Sequence, residues 1–200
     1  TETRTRPIDL AICLDTSGSM ENLIESVKQH VWGIVNDLAL ARPQPELRVA
    51  LLTFGNDGHD AEAGWVRVDT GLTADLDLVS ERLFALSTDG GTELVGRVLR
   101  RAHDDLEWST NLDALRLVVV AGNESADQDE AVRFADACAA LAGRDILVNA
   151  LYCGAESDDV ATGWRQVAAG ADGHYASIDT QGPPRVIETP FDERLAELSA

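Results

Sequence analysis

The strongest constraint on this chain's fold is the recurrence of short, nearly continuous apolar runs separated by segments of helical period. Ile8–Leu14 (IDLAICL), Arg48–Phe54 (RVALLTF), Leu115–Ala121 (LRLVVVA) and Ile146–Cys153 (ILVNALYC) are all of this kind. Strands covered on both faces of a parallel sheet read this way, because neither face has to alternate toward water. Between them, Glu21–Leu40 places Leu23, Val27, Val31, Ile34, Val35 and Leu38 at helical spacing, and Pro43 and Pro45 close it. Leu76–Leu86, a stretch running through Leu94, Val98, Leu99, Ala102 and Leu106, Glu130–Leu141 and Val160–Ala169 also read as helices. Trp65–Val68 alternates and reads as an edge or antiparallel strand; His174–Ile178 reads as a last strand and Pro190–Leu198 as the start of a final helix. The alternation predicts an α/β fold: a doubly wound, mainly parallel central sheet with one antiparallel edge strand, flanked by helices. Residues 1–7 read as a flexible N-terminal segment and 8–200 as one domain.

Charge narrows the function. The 200 residues carry 35 acidic and 16 basic side chains, a formal net charge of −19. Nucleic-acid affinity rests on Lys and Arg neutralising phosphates, so DNA and RNA are poor partners, as is an anionic membrane surface. No apolar run is long enough to span a bilayer, so membrane insertion is not expected. An acidic surface suits cation binding, but it also simply maintains solubility. Lys28 is the only lysine, which reads as compositional bias. Cys13, Cys138 and Cys153 are too few and scattered for a zinc site or a disulfide framework. Cys13 and Cys153 each end an apolar run, so buried free thiols are expected, with a Cys13–Cys153 disulfide as the lesser alternative.

The segment that carries chemistry is Asp15–Ser19 (DTSGS), where the first strand hands over to the first helix. Ligands of open α/β sheets bind beyond the carboxyl ends of strands. Asp15, Ser17 and Ser19 supply three oxygens within one turn, and the free N–H groups of the helix start can hold the Asp15 carboxylate. A carboxylate with hydroxyls and water suits Mg²⁺, and also Mn²⁺ or Ca²⁺. An Asp/Ser-rich helix cap has the same letters, so this motif alone leaves the two readings evenly matched. A second loop, Thr88–Thr92 (TDGGT), adds a hydroxyl at Thr92, with Asp89 beside it. The strand Leu115–Ala121 ends in a polar loop carrying Asn123 and Glu124.

With these three loops the chain resembles the von Willebrand factor A family and its metal-ion-dependent adhesion site. The family's pattern is DxSxS, then a Thr in a second loop, then an Asp after a central strand. Asp15, Ser17 and Ser19 match the first loop and Thr92 of GGT the second. The resemblance implies a six-coordinate cation, with Ser17 and Ser19 binding directly and Asp15 and Thr92 directly or through water. It implies that a remaining position accepts an Asp or Glu from a protein partner. One departure stands out: the segment Val120-Ala121-Gly122-Asn123-Glu124 has glycine where the third-loop Asp is expected. Glu124 or Asn123 could then reach the metal in its place, directly or through water, with Asp89 as a further outlying neighbour. Losing a carboxylate leaves a bound cation more electropositive and weakens its retention. The segments AGNESADQ, ALYCG and TGWRQVAAGADGHYASID are similar to a bacterial, often exported subgroup. That similarity implies an exported, periplasmic or extracellular setting while leaving a cytoplasmic one open.

Two other readings are weighed. A structural or assembly module with a degenerate metal site would keep the fold and bind through its surface. A metal-dependent hydrolase is third: phosphatases of the haloacid dehalogenase type also begin with an apolar strand and Asp, in the pattern hhhhDxDxT. Their acid/base Asp falls here on Ser17, which has no proton to trade near neutral pH. No P-loop, GxGxxG or GxSxG appears, and His30, His59, His103 and His174 are scattered. Catalysis is therefore not expected. Asp57, His59, Asp60 and Glu62 suggest an accessory cation site, with a solvated loop as the blander and favoured reading. His174 reads as a strand or edge residue, Trp32 and Trp164 as helix packing, and Trp65 as a surface residue near the acidic loop.

Overall fold

The computed structural model describes residues 6–178. Its elements run in the order β1 (Pro7–Asp15), a 3₁₀ turn (Gly18–Met20), α1 (Ile24–Leu40), β2 (Glu46–Phe54), β3 (Val66–Thr73), α2 (Leu76–Phe84) and α3 (Val95–Asp105). Then follow β4 (Leu115–Gly122), α4 (Phe134–Ala142), β5 (Ile146–Tyr152), α5 (Ala161–Ala169) and β6 (Tyr175–Ser177). The six strands form one sheet in the order β3-β2-β1-β4-β5-β6, with β3 the antiparallel edge and every other pairing parallel.

The chain starts in the middle of this sheet, winds outward through β2 and β3, and returns to lay β4 on the other side of β1. The strand order therefore switches between β1 and β4, and ligands of open α/β sheets bind beyond the carboxyl ends of strands at such a switch. Asp15 is the last residue of β1 and Gly122 the last of β4.

The alternation of side chains sends Ile8, Leu10, Ile12 and Leu14 to one face of β1, against Ile24, Val27, Val31 and Val35 of α1 and Val79 and Leu83 of α2. Ala11 and Cys13 face the other side, with Val98 and Leu99 of α3, Ala137 and Leu141 of α4 and Trp164 of α5. Strands buried on both faces explain the continuous apolar runs.

Boundaries differ from the periodicity at a few places. The first helix begins at Ile24, not Glu21, because the DTSGS segment passes through a 3₁₀ turn first. The helix expected from Glu130 begins at Phe134: Asp129 Oδ1 accepts the N–H groups of Ala131 and Val132, holding those residues in a turn. The edge strand runs on to Thr73, beyond Val68, by pairing with β2 through two register shifts. The final helix expected at Pro190–Leu198 lies outside the described residues. Cys13, Cys138 and Cys153 are buried free thiols, so the disulfide alternative is not formed, and burial pushes the Cys153 and Cys138 thiols up to about 12. Lys28 has a structural use that composition did not suggest. Its buried Nζ donates to Leu86 O (2.7 Å), closing the turn after α2, and to Glu25 Oε1 (2.8 Å). Among the described residues no helix is long and apolar enough to cross a membrane.

Candidate functional site

The site is built where β1 ends. Asp15 is 1% exposed and Ser17 fully buried, because the turn that follows the strand folds back under neighbouring loops before α1 begins. The Ser17 N–H donates to Asp15 Oδ1 (2.8 Å), fixing the carboxylate toward the turn. The Ser17 and Ser19 hydroxyl oxygens lie 3.0 Å apart. Ser19 Oγ donates to Asn123 Oδ1 (2.8 Å), and Asn123 Nδ2 returns a bond to Ser19 O (3.2 Å). The third loop is thereby clamped to the first by one amide.

The second loop is laced to the first through backbone. Gly18 N–H donates to Gly90 O (2.8 Å) and Asp89 N–H to Thr16 O (3.0 Å), while Asn56 Nδ2 bridges Thr16 O and Ser87 O (3.1 Å each). Thr92 forms an isolated antiparallel bridge with Gly55. Gly55 has a φ of +79°, and a Cβ there would stand 2.9 Å from Asp15 Oδ1, 3.2 Å from Glu93 Cγ and 3.3 Å from Ser17 Cβ. Only glycine leaves these three side chains room to converge.

Of the residues singled out from sequence, Asp15, Ser17, Ser19 and Asn123 thus meet around one turn, with Thr92 anchored on the adjoining Gly55. Asp89 touches the site through its backbone, with its residue exposed. Glu124 is exposed, and its carbonyl accepts the Trp164 indole N–H (2.8 Å). Gly122 lies against Asp15: a Cβ there would sit 3.1 Å from Asp15 Oδ2 and 3.0 Å from Trp164 Cη2. A side chain at 122 would therefore crowd both the Trp164 ring and the Asp15 carboxylate.

Sequence reasoning missed Glu93. It follows Thr92 directly, is 5% exposed and accepts a hydrogen bond from Gln128 Nε2 (3.3 Å). Its signal was a lone acid immediately before a helix whose next residues, Leu94 and Val95, are core. The acidic loop behaves differently from the accessory-site idea. His59 turns inward, with Nδ1 3.2 Å from Trp65 O and Nε2 3.4 Å from Thr53 Oγ1. Asp57 and Asp60 stay exposed.

Electrostatically the turn is unusual. Burial is the main force that raises Asp15 to about 7; the Ser17 hydrogen bonds oppose it, and the charges of Glu93 and Glu124 add to it. None of the ion pairs among the described residues includes Asp15 or Glu93. Among those residues no three His, Cys, Asp or Glu side chains gather as a metal cluster, so hydroxyls would have to complete any coordination here. The donor set suits a hard divalent cation: paired hydroxyls and a carboxylate held in place but not neutralised.

The architecture and these donors define a class, a doubly wound α/β domain with an oxygen-rich turn at its topological switch point. The chain belongs to the von Willebrand factor type A domain family, whose profile matches residues 9–182. No curated protein matches the sequence significantly. Among solved structures, the SpRpn10 VWA domain is similar at 18% identity with a TM-score of 0.68, over 90% of this chain and 91% of that one. Proximal thread matrix protein 1 from the mussel byssus, with a zinc-occupied MIDAS motif, aligns at 13% identity and TM-score 0.70, over 98% and 46% of the two chains. The open conformation of the pilus adhesin SpaC from Lactobacillus rhamnosus GG aligns at 16% and 0.64, over 89% and 28%. This chain thus spans less than half of the last two proteins. The family is an interaction and adhesion fold whose members commonly hold a divalent metal at the adhesion motif.

Proposed function

We propose that this domain binds a protein partner through a divalent cation held by Asp15, Ser17, Ser19 and Thr92, to which the partner contributes an Asp or Glu. The observation that carries this reading is a buried carboxylate, Asp15, locked toward two hydroxyls 3.0 Å apart with no side-chain cation among the described residues to neutralise it. Burying such a charge costs several kcal/mol, on the order expected for an unpaired ion in protein, unless a proton or a cation joins it. Mg²⁺ suits the oxygen donors best, with Mn²⁺ and Ca²⁺ as alternatives. A bound cation would supply a positive centre facing solvent beyond the sheet, able to accept an external carboxylate. The protein's own residues do the positioning: the Ser17 N–H orients Asp15, Asn123 aims Ser19, and the bridge to Gly55 sets Thr92. Binding is the expected role.

A scaffold with a degenerate site is the second reading, favoured by Gly122 and by the Trp164 ring packed over it. Isothermal titration with Mg²⁺, Mn²⁺ and Ca²⁺ separates the two. The cation reading expects one site per chain, abolished in Asp15→Ala; heat-silent titrations with all three ions leave the scaffold. Partner capture that is indifferent to both EDTA and Asp15→Ala removes metal bridging.

A further inference from the structure

The glycine at 122 leaves this site one carboxylate short of the pattern its loops otherwise follow. With Asp15 alone, a doubly charged cation would keep a full uncompensated charge beside a buried turn. The structure brings a second carboxylate to the same place from another direction. Glu93 is 5% exposed, and its Cγ and Asp15 Oδ1 both lie within 3.2 Å of the position a Cβ on Gly55 would take. Two features hold it there. The Gly55–Thr92 bridge fixes the backbone one residue earlier, and Gln128, from the loop after β4, donates to Oε2.

A Glu at the start of α3 has an ordinary explanation, an acid near a helix N-terminus. Two facts go against that as the whole account. The residue points into the interior instead of lying on the surface, and its near neighbour is another buried acid. Two adjacent buried carboxylates repel, and the arrangement is tolerated only if one keeps a proton or a cation joins them. Among the described residues no Lys, Arg or His pairs with either one.

We infer that Glu93 is the second carboxylate of the cation site, supplied by the second loop in place of the third-loop Asp whose position Gly122 occupies. The inference rests on the cation reading above. It changes the charge count: two carboxylates balance a divalent ion, so the partner's acid joins a site that is neutral, not one left positive by the missing Asp. It also gives Gln128 a task, as the residue that positions Glu93.

The test uses the full chain, titrated with Mg²⁺ by calorimetry and with Mn²⁺ by electron paramagnetic resonance. Glu93→Gln keeps the side chain's size and its neighbours. The expected result is an affinity lower by about 10-fold or more, because ligand charge sets retention of hard cations. At pH 8 the same variant should unfold at a higher temperature than wild type when no metal is present, since Asp15 no longer faces a second charge. A variant that binds Mg²⁺ as wild type does overturns the role of Glu93 while leaving the site intact. A wild type that binds neither ion overturns the cation reading itself, and the inference with it. A measurement on the unmutated protein guards against a folding artefact: Mn²⁺ should broaden the side-chain carboxyl resonance of Glu93 well before that of Asp9. Equal broadening of the two refutes the assignment.

Discussion

Asp9 and Asp15 lie on the same face of the same strand, both 1% exposed, and they have opposite fates. At the lower end of the sheet, Asp9 is fully provided for. Arg48 binds it through two nitrogens, Nε to Oδ1 (2.9 Å) and Nη2 to Oδ2 (2.8 Å), and the Ser109 N–H adds a third bond (2.7 Å). At the upper end, Asp15 has the Ser17 N–H and a second acid as neighbour. One carboxylate is structural, closed by the protein itself. The other has no side-chain cation beside it among the described residues. A buried acid therefore signals function only when its counter-charge is missing, and burial alone cannot separate the two cases.

The contrast can be broken most forcefully by pH. Asp15 keeps its proton in the native metal-free state up to about 7, whereas the unfolded chain releases it near the ordinary carboxylate value of about 4. Between those values the native state binds more protons, so stability should fall as pH rises. Measured against Asp15→Asn, metal-free wild type should lose a few kcal/mol in all across that window, at a slope no steeper than about 1.4 kcal/mol per pH unit. Saturating Mg²⁺ should remove the fall. Parallel curves for the two proteins would place Asp15 in the same category as Asp9.

Next in size, Asp15→Ala should weaken Mg²⁺ binding by roughly 100-fold, about 2.7 kcal/mol, given that changes one shell further out already cost 10–100-fold. Its metal-free melting temperature should hold or rise. Asp9→Ala should do the reverse. Arg48 is about one-third exposed, which reduces the penalty for a broken buried pair to about 2 kcal/mol, or roughly 4–8 °C in melting temperature. Calorimetric Mg²⁺ affinity should stay at the wild-type value. The smallest effect is expected at Asn123→Ala, which frees the Ser19 hydroxyl and should weaken Mg²⁺ binding by about 10-fold, with little change in melting temperature. If that variant leaves affinity unchanged, Ser19 does not need its clamp.

Much of this was legible beforehand, for identifiable reasons. The runs at Ile8–Leu14 and Leu115–Ala121 announced central parallel strands because both of their faces are buried. The DTSGS turn followed from its position at the end of such a run. Lys28 and Glu93 were not legible: each is one charged letter in a helical context, and its meaning depends on a neighbour more than thirty residues away. Lys28 meets Leu86 O, and Glu93 accepts from Gln128 with its Cγ and Asp15 Oδ1 both beside Gly55. The helix start at Phe134 was missed for a related reason, since Asp129 Oδ1 competes for backbone N–H groups that periodicity assigns to a helix. The Asp129 carboxyl is itself held below its usual range: burial works against its charge, but Arg97 and those two N–H groups outweigh it.

By itself, then, the sequence determined the alternation of elements, the two-sided core and the turn at Asp15–Ser19, because hydrophobic period and turn chemistry act over a few residues. Tertiary structure alone decided that β4 would lie beside β1, that Trp164 would occupy the space over Gly122, and that a glutamate from a different loop would face Asp15. Those outcomes depend on which strand ends are brought together and on the low-dielectric interior this creates, where the free energy of a charge is set by neighbours distant in the chain.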